Sequence, residues 1–268
     1  MRKLSNEIWI YMIFTLGLTT LCLLSSNNLI KAISQGTPML VAIGVVLFAR
    51  RKGKWKELGM ARLGTGKGYL LVLLVVAVVI ISFSIAWMMG VVQLPVITKI
   101  NMTQWERFVF LVKLYVQVGI ILGPILFALG EEIGWRGYLQ TRLLHEVGAN
   151  KAIWITAGCW AVFHYPFLFL ADYTDSGNIW INTLLFTIMI FPLSFLLGWI
   201  RISSQSIWPV VLCHGLINYF RGFLDTLFYV KKPHWTYVTG ENGIITILAW
   251  TILAVIVYQF AMQKNKVL

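Results

Sequence analysis

The chain has 268 residues, of which 59% are hydrophobic and 12% are charged, whereas soluble domains average roughly 45–50% and 25%. A soluble fold cannot bury that much apolar surface, and the unbroken apolar run over 69–92 lacks the alternation of a transmembrane β-strand. The net charge of +12 falls in short segments between apolar runs, where it orients a membrane protein and does not form a nucleic-acid surface. We therefore predict a helical membrane protein with lipids as partners and no nucleic acid.

Eight apolar runs follow one another along the chain, each long enough to cross roughly 30 Å of hydrocarbon as a helix. The predicted spans are 8–25, 30–49, 69–92, 108–129, 151–170, 179–200, 206–229 and 243–262. The sequence thus predicts an all-α, polytopic bundle of about eight transmembrane helices. We expect a single integral membrane domain over residues 1–268, located in the cell membrane.

Basic residues are concentrated in alternate connecting segments, above all between Arg50 and Lys67. Because positively charged segments stay on the cytoplasmic side, this pattern places both termini in the cytoplasm. The same segment contains Trp55, Leu58 and Leu63 among its basic residues. It is therefore either an interfacial helix on anionic lipid or an ordinary solvated loop, and the sequence does not decide between the two.

Ionisable side chains inside apolar runs need a partner or a function, because each costs at least about 2.5–3.5 kcal/mol at membrane depth. Two carboxylates, Glu131 and Glu132, follow the fourth predicted span, and Arg136 comes shortly after them. In an α-helix, Glu132 and Arg136 share a face and can pair, while Glu131 points about 100° away. The sequence thus predicts two neighbouring carboxylates with different partners.

Three more polar side chains lie in later spans. His164 lies deep in the fifth span, and His214 and Asn218 lie one helical turn apart in the seventh. Each has a structural explanation, such as a buried histidine bonded to a carbonyl or an asparagine between helices. Taken with the glutamates, they have the composition of a hydrolytic centre, in which a carboxylate activates water, a histidine transfers protons and donor groups stabilise an oxyanion.

These residues form three motifs in a fixed order. The motifs are Glu131-Glu132-x-x-x-Arg136, then His164 preceded by an aromatic residue at position 160, then His214-x-x-x-Asn218. In them the chain resembles the CPBP family of CAAX proteases and bacteriocin-processing or Abi-type membrane proteins, over roughly residues 105–225. The resemblance implies eight helices, an intramembrane cavity and cleavage of a membrane-associated or lipidated peptide. The family usually has Phe four residues before this histidine, and we interpret Trp160 as a packing variation.

The first hypothesis is therefore an intramembrane endopeptidase with six catalytic residues. Glu131 activates water, Glu132 is its partner tied to Arg136, His164 assists, and His214 and Asn218 stabilise the oxyanion. Two other hypotheses stay open. One is a membrane scaffold or bacteriocin-immunity protein that binds partner helices, and the other is a proton-coupled transporter that uses the same buried charges.

The first hypothesis requires no cofactor, and it leaves metal binding open. Two glutamates and two histidines can hold Zn²⁺ together with a water, although Arg136 competes for Glu132. A separate zinc motif beginning at His145-Glu146 is incomplete, because Ala149 stands where the second histidine would be.

The predicted depths of His164 and Glu131 in the membrane differ. His164 lies about 20 Å along its helix from Lys151, whereas Glu131 lies only about 7.5 Å from Arg136. A common centre therefore requires helix tilt, a kink at Gly123-Pro124, or a fourth helix that stays embedded beyond residue 129.

Overall fold

The computed structural model describes residues 5–48, 54–94, 103–171 and 177–264, and in these ranges the chain is a bundle of helices. The helices are α1 (Asn6–Leu24), α2 (Asn28–Ile33), α3 (Thr37–Phe48), α4 (Lys54–Glu57), α5 (Gly66–Met88), α6 (Gln104–Tyr115), α7 (Val118–Glu132), α8 (Gln140–Val147), α9 (Ala149–Leu170), α10 (Ile179–Ser204), α11 (Trp208–Leu227) and α12 (Ile244–Lys264). Single turns of 3-10 helix cover Ser34–Gly36 and Pro233–Tyr237, and a π-helical stretch, Ile133–Leu139, joins α7 to α8. A short antiparallel pair links β1 (Val92–Gln93) to β2 (Tyr229–Val230).

The predicted helical membrane fold is confirmed. Six helical segments within the described ranges are long and apolar enough to cross a bilayer: Asn6–Leu24, Asn28–Phe48, Gly66–Met88, Val118–Val147, Ala149–Leu170 and Ile179–Ser204. The last two predicted spans correspond to α11, which carries polar side chains, and to α12, whose apolar part is Ile244–Phe260. Eight crossings and two cytoplasmic termini stay predictions, and residues 1–4 and 265–268 lie outside the described residues.

The predicted bounds of the fourth span, 108–129, are wrong. Helix α6 ends at Tyr115, and the chain begins a new helix at Val118 after Gln117 adopts an extended conformation. From Val118 the helix continues without interruption through the π-helical stretch to Val147. The physical reason is that α6 carries Lys113 and Glu106 on a mixed surface, whereas the long apolar segment starts only after it. The embedded helix therefore extends beyond residue 129, and Glu131 lies near its middle.

Close packing of α11 against α7 depends on a glycine in the third motif. A Cβ atom on Gly215 would lie 2.7 Å from the Cα atom of Ile125, a distance that side-chain carbons do not tolerate. The missing side chain lets the two backbones approach at this level. His214, the neighbour of Gly215, is thereby brought towards the glutamates at the end of α7.

The basic segment between α3 and α5 packs on the protein. Within its described part before α5, residues 54–65, only Lys54–Glu57 is helical. Leu58 is buried, and the Gly59 carbonyl accepts a hydrogen bond from the Ile207 backbone N–H at 3.1 Å. The Trp208 indole donates to the Met60 carbonyl at 2.9 Å. The segment is thus anchored across the ends of α10 and α11 and is neither a continuous interfacial helix nor a freely solvated loop, while residues 49–53 lie outside the described part.

Candidate active site

Glu132 is the centre of a buried polar network. Its Oε1 atom accepts a hydrogen bond from Arg136 Nη1 at 2.8 Å, across one helical turn. The same oxygen lies 2.8 Å from Nδ1 of His214 on α11. Because a carboxylate oxygen only accepts, the His214 ring must carry its proton on Nδ1 in this contact. The side chains of Glu132 and Arg136 are both 0% exposed, so the pairing predicted from their spacing lies fully inside the bundle.

Arg136 connects this pair to two further helices. Its Nη2 atom donates to the hydroxyl of Ser194 on α10 at 3.0 Å. Its guanidinium carbon lies 4.2 Å from the ring centroid of Trp160 on α9. A buried cation needs both a counter-charge and hydrogen-bond acceptors to offset its lost hydration, and the indole face adds a cation–π contact. Arg136, in the π-helical stretch, therefore contacts α7, α9 and α10 through one guanidinium group.

Glu131 has a different partner, as its position on the helix predicts. Its Oε2 atom accepts a hydrogen bond of 2.7 Å from the indole N–H of Trp160. The side chain is nearly buried, with 5% of its surface exposed. The two neighbouring carboxylates thus differ in chemistry, since Glu132 is paired with a cation and Glu131 with a neutral donor.

His164 is held from its own helix. Its Nδ1 atom lies 2.9 Å from the Trp160 backbone carbonyl, one turn earlier in α9. A carbonyl only accepts, so Nδ1 carries the proton and proton exchange at this ring takes place at Nε2. Phe163 and Phe186 pack on the imidazole with centroid distances of 5.1 and 4.9 Å. The Glu131 carboxylate interacts electrostatically with His164 and with His214.

Asn218 is the predicted site residue that the network does not include. No described residue forms a hydrogen bond with its side chain, and it is only partly buried. It lines a groove of about 380 Å³ beside Tyr115, Pro124 and Phe127. Because Asn218 follows His214 by one turn of α11, the groove lies next to the buried network. The structure therefore brings together Glu131, Glu132, Arg136, His164 and His214, and places Asn218 on the adjoining surface.

Two contributions to the network were not predicted from the sequence. Ser194 was not proposed, although a serine in the apolar span 179–200 is the kind of residue that bonds across helices in a membrane. Trp160 was interpreted as a packing variation, and this interpretation is incomplete, because its indole N–H makes a polar contact with Glu131. Phenylalanine lacks any donor that could make the same contact.

The donor set does not fit a metal ion. Among the residues that the structure describes, no group of three or more His, Cys, Asp or Glu side chains is placed to hold one. The Oε1 atom of Glu132 is already shared by Arg136 and His214, and a guanidinium at 2.8 Å would repel a divalent cation. No chemical step is therefore assigned to Zn²⁺ here.

Comparisons with known proteins agree with the motifs. Residues 112–220 match the family model described as type II CAAX prenyl endopeptidase Rce1-like, and all six predicted site residues lie in this range. A curated relative, CAAX prenyl protease 2 from Methanococcus maripaludis, is 30% identical over 105 residues. That match covers 35% of this chain and 38% of the relative. Over residues 112–220 the chain is therefore similar to the Rce1-like type II CAAX prenyl endopeptidases, and it spans well under half the length of the curated relative that it matches.

Proposed function

We propose that the chain is a membrane-embedded endopeptidase that hydrolyses a peptide bond with water activated by Glu131. One observation carries the proposal. Glu131 and Glu132 are adjacent and buried, yet only Glu132 is neutralised by Arg136, while Glu131 is held by an uncharged indole. A carboxylate that is oriented but not paired with a cation is suited to accept a proton from water.

The proposed reaction needs no covalent intermediate. Glu131 takes a proton from water as the water oxygen forms a bond to the scissile carbonyl carbon. The carbonyl oxygen becomes an oxyanion. His214, doubly protonated and with its Nδ1–H donated to Glu132, donates its Nε2–H to that oxyanion, and the Asn218 amide supplies a second donor from the groove. The carbon–nitrogen bond then breaks, and the leaving amine receives a proton that passes from Glu131, with His164 exchanging protons at Nε2. The products are a carboxylic acid and an amine, and transfer of the acid proton to the amine leaves a carboxylate and an ammonium group.

Glu132 and Arg136 have an electrostatic role in this scheme. With its Nδ1 proton donated to Glu132, His214 is held in one orientation, and the carboxylate stabilises any positive charge that the ring acquires. Arg136 balances the charge of Glu132 and keeps it in place. The pair is therefore proposed to position the oxyanion donor rather than to exchange protons with the substrate.

The proposed substrate is a peptide at the membrane, carried on a lipid anchor. The Methanococcus maripaludis relative is named as a CAAX prenyl protease, and we infer that the substrate of this chain is also lipidated. The groove beside Asn218 is open at the protein surface and lined by Pro124 and Phe127. Such a wall accommodates apolar groups next to the candidate catalytic side chains.

The test compares cleavage of a library of membrane-tethered lipopeptides by the wild-type chain, by Glu131→Gln and by Glu146→Gln. Glu146 is a matched control, because its carboxylate accepts a backbone N–H from Ser5 at 3.0 Å outside the network. We expect the wild-type and Glu146→Gln proteins to cleave equally. Loss of the general base should lower the rate of Glu131→Gln by about 10²- to 10⁴-fold. Unchanged product from Glu131→Gln would refute the mechanism, and no cleavage by any protein would favour a binding role.

A further inference from the structure

Trp160 contacts four of the residues in the buried network. Its N–H bonds to Glu131, its ring face lies against Arg136, and its backbone carbonyl accepts from His164. The ring also meets the imidazole of His214 edge to face, with 5.3 Å between the centroids. The indole is only 2% exposed. Trp160, which the sequence suggested to be a packing residue, thus contacts Glu131 and also both partners of Glu132.

The indole has little freedom in this position. Arg136 lies over one part of the ring face at 4.2 Å, and the rings of His164 and His214 approach from other sides at 5.8 and 5.3 Å. A tryptophan side chain has a single N–H donor and no acceptor. With the ring fixed, that N–H can point in only one direction, and the structure directs it at Oε2 of Glu131.

The nature of the donor matters as much as its direction. A guanidinium that bonded to Glu131 would neutralise the carboxylate that has to accept a proton. The indole N–H orients the carboxylate without adding a charge, and it occupies Oε2 only. Both terminal nitrogens of Arg136 are meanwhile engaged by Glu132 and Ser194. Trp160 therefore gives Glu131 a partner that does not compete with proton transfer.

The geometry points to Trp160 as a positioning residue whose indole N–H holds Oε2 of Glu131, so that Oε1 is the oxygen presented to the attacking water. This inference rests on the proposed function and assigns a polar role to a position that the motif fills with an aromatic ring. It predicts that the ring alone is insufficient and that the N–H group itself contributes to turnover.

The test removes the N–H and keeps an aromatic ring, with Trp160→Phe. A matched control is Trp154→Phe on the same helix, because the Trp154 indole donates to Asn150 Oδ1 at 2.9 Å on the outer surface. We expect kcat of Trp160→Phe on a cleaved lipopeptide to fall by about 10- to 100-fold, as for loss of a hydrogen bond to a charged group, while KM stays within about twofold. Trp154→Phe should retain both constants.

The outcomes separate this inference from the proposed function. Wild-type cleavage that is lost in Glu131→Gln but kept in Trp160→Phe would overturn the role of Trp160 alone. A change in KM with kcat unchanged would also overturn it, since a wall of the binding pocket would behave in that way.

A second measurement tests the contact without any activity. Trp160→Phe, Glu131→Ala and the double variant are compared by thermal unfolding in detergent micelles. If the N–H stabilises the Glu131 carboxylate, the double variant lowers Tm by less than the sum of the two single variants. Additive shifts would overturn the inference whether or not a substrate has been found.

Discussion

The long helical segment Val118–Val147 contributes an arginine to each of two Glu–Arg pairs. The two pairs have the same functional groups but differ in exposure to solvent. Arg136 pairs with Glu132 at 2.8 Å, and both side chains are 0% exposed. Arg142 pairs with Glu57 at 3.0 Å, with the two side chains 16% and 40% exposed. The same two functional groups therefore occupy a fully buried and a partly exposed environment at neighbouring levels of one segment. We therefore expect burial, and not the presence of an ion pair, to determine what each pair contributes to stability.

The inner pair makes close contacts with other helices, whereas in the outer pair the guanidinium carbon of Arg142 lies 5.8 Å from the ring centroid of Tyr138. Arg136 also bonds to Ser194 and lies against Trp160, while Glu132 also holds His214. Both side chains of the inner pair are 0% exposed, so bulk solvent cannot replace a lost partner there and the cost of removing one is high. The Arg142–Glu57 pair can exchange its partner for water and salt. The inner pair thus organises the candidate site, whereas the outer pair joins α8 to the end of α4.

The largest effect is expected from Arg136→Met, which removes the buried cation and fills much of its volume. Glu132 then keeps only His214 as a partner for its charge. We expect the free energy of unfolding to fall by about 3–5 kcal/mol, as for other buried pairs that lose one member. Reversible unfolding of the purified protein in mixed micelles measures this change.

The double variant Glu132→Gln with Arg136→Met is the control for this prediction. It leaves neither charge unpaired, so it should be more stable than Arg136→Met alone. A double variant that is less stable than the single one would show that the arginine acts through packing and not by compensating the buried carboxylate.

The sequence predicted the inner pair because its geometry is local. Glu132 and Arg136 stand one helical turn apart, so their contact follows from helix periodicity, and so does the divergence of Glu131 towards another neighbour. The apolar runs likewise predicted helices near their observed positions, since segment length and composition determine membrane insertion. These features require no knowledge of how the helices pack against one another.

The remaining features depend on packing and were not accessible from periodicity. The contact between His214 and Glu132 exists because α11 approaches α7 closely at Gly215. The hydroxyl of Ser194 reaches Arg136 from a helix far along the chain. The bounds of the fourth helix were also wrong, because a break before Val118 separates an amphipathic helix from an apolar one. Contacts between helices of this kind are set by shape, which the residue pattern of one helix does not encode.

An intermediate effect is expected from Ser194→Ala, which leaves Nη2 of Arg136 buried without its acceptor. Loss of one partner from a buried donor costs about 1–3 kcal/mol. The matched control is Ser84→Ala, because Ser84 is exposed and bonds only to the Ile80 carbonyl of its own helix. Thermal unfolding of both variants in micelles measures the difference. Equal stabilities for the two variants would show that Glu132 alone satisfies the arginine.

The smallest effect is expected from Arg142→Gln at the outer pair. Its partner Glu57 is 40% exposed, so water rehydrates the carboxylate once the guanidinium is gone. We expect a loss of less than about 1 kcal/mol at low salt, shrinking further as salt screens the pair in the wild-type protein. Unfolding measured at low and at high ionic strength checks both statements. A loss of stability as large as that of Arg136→Met, or one that salt does not reduce, would mean that the outer pair is shielded from water despite its exposure. Any difference between the two pairs would then result from their neighbouring residues and not from burial.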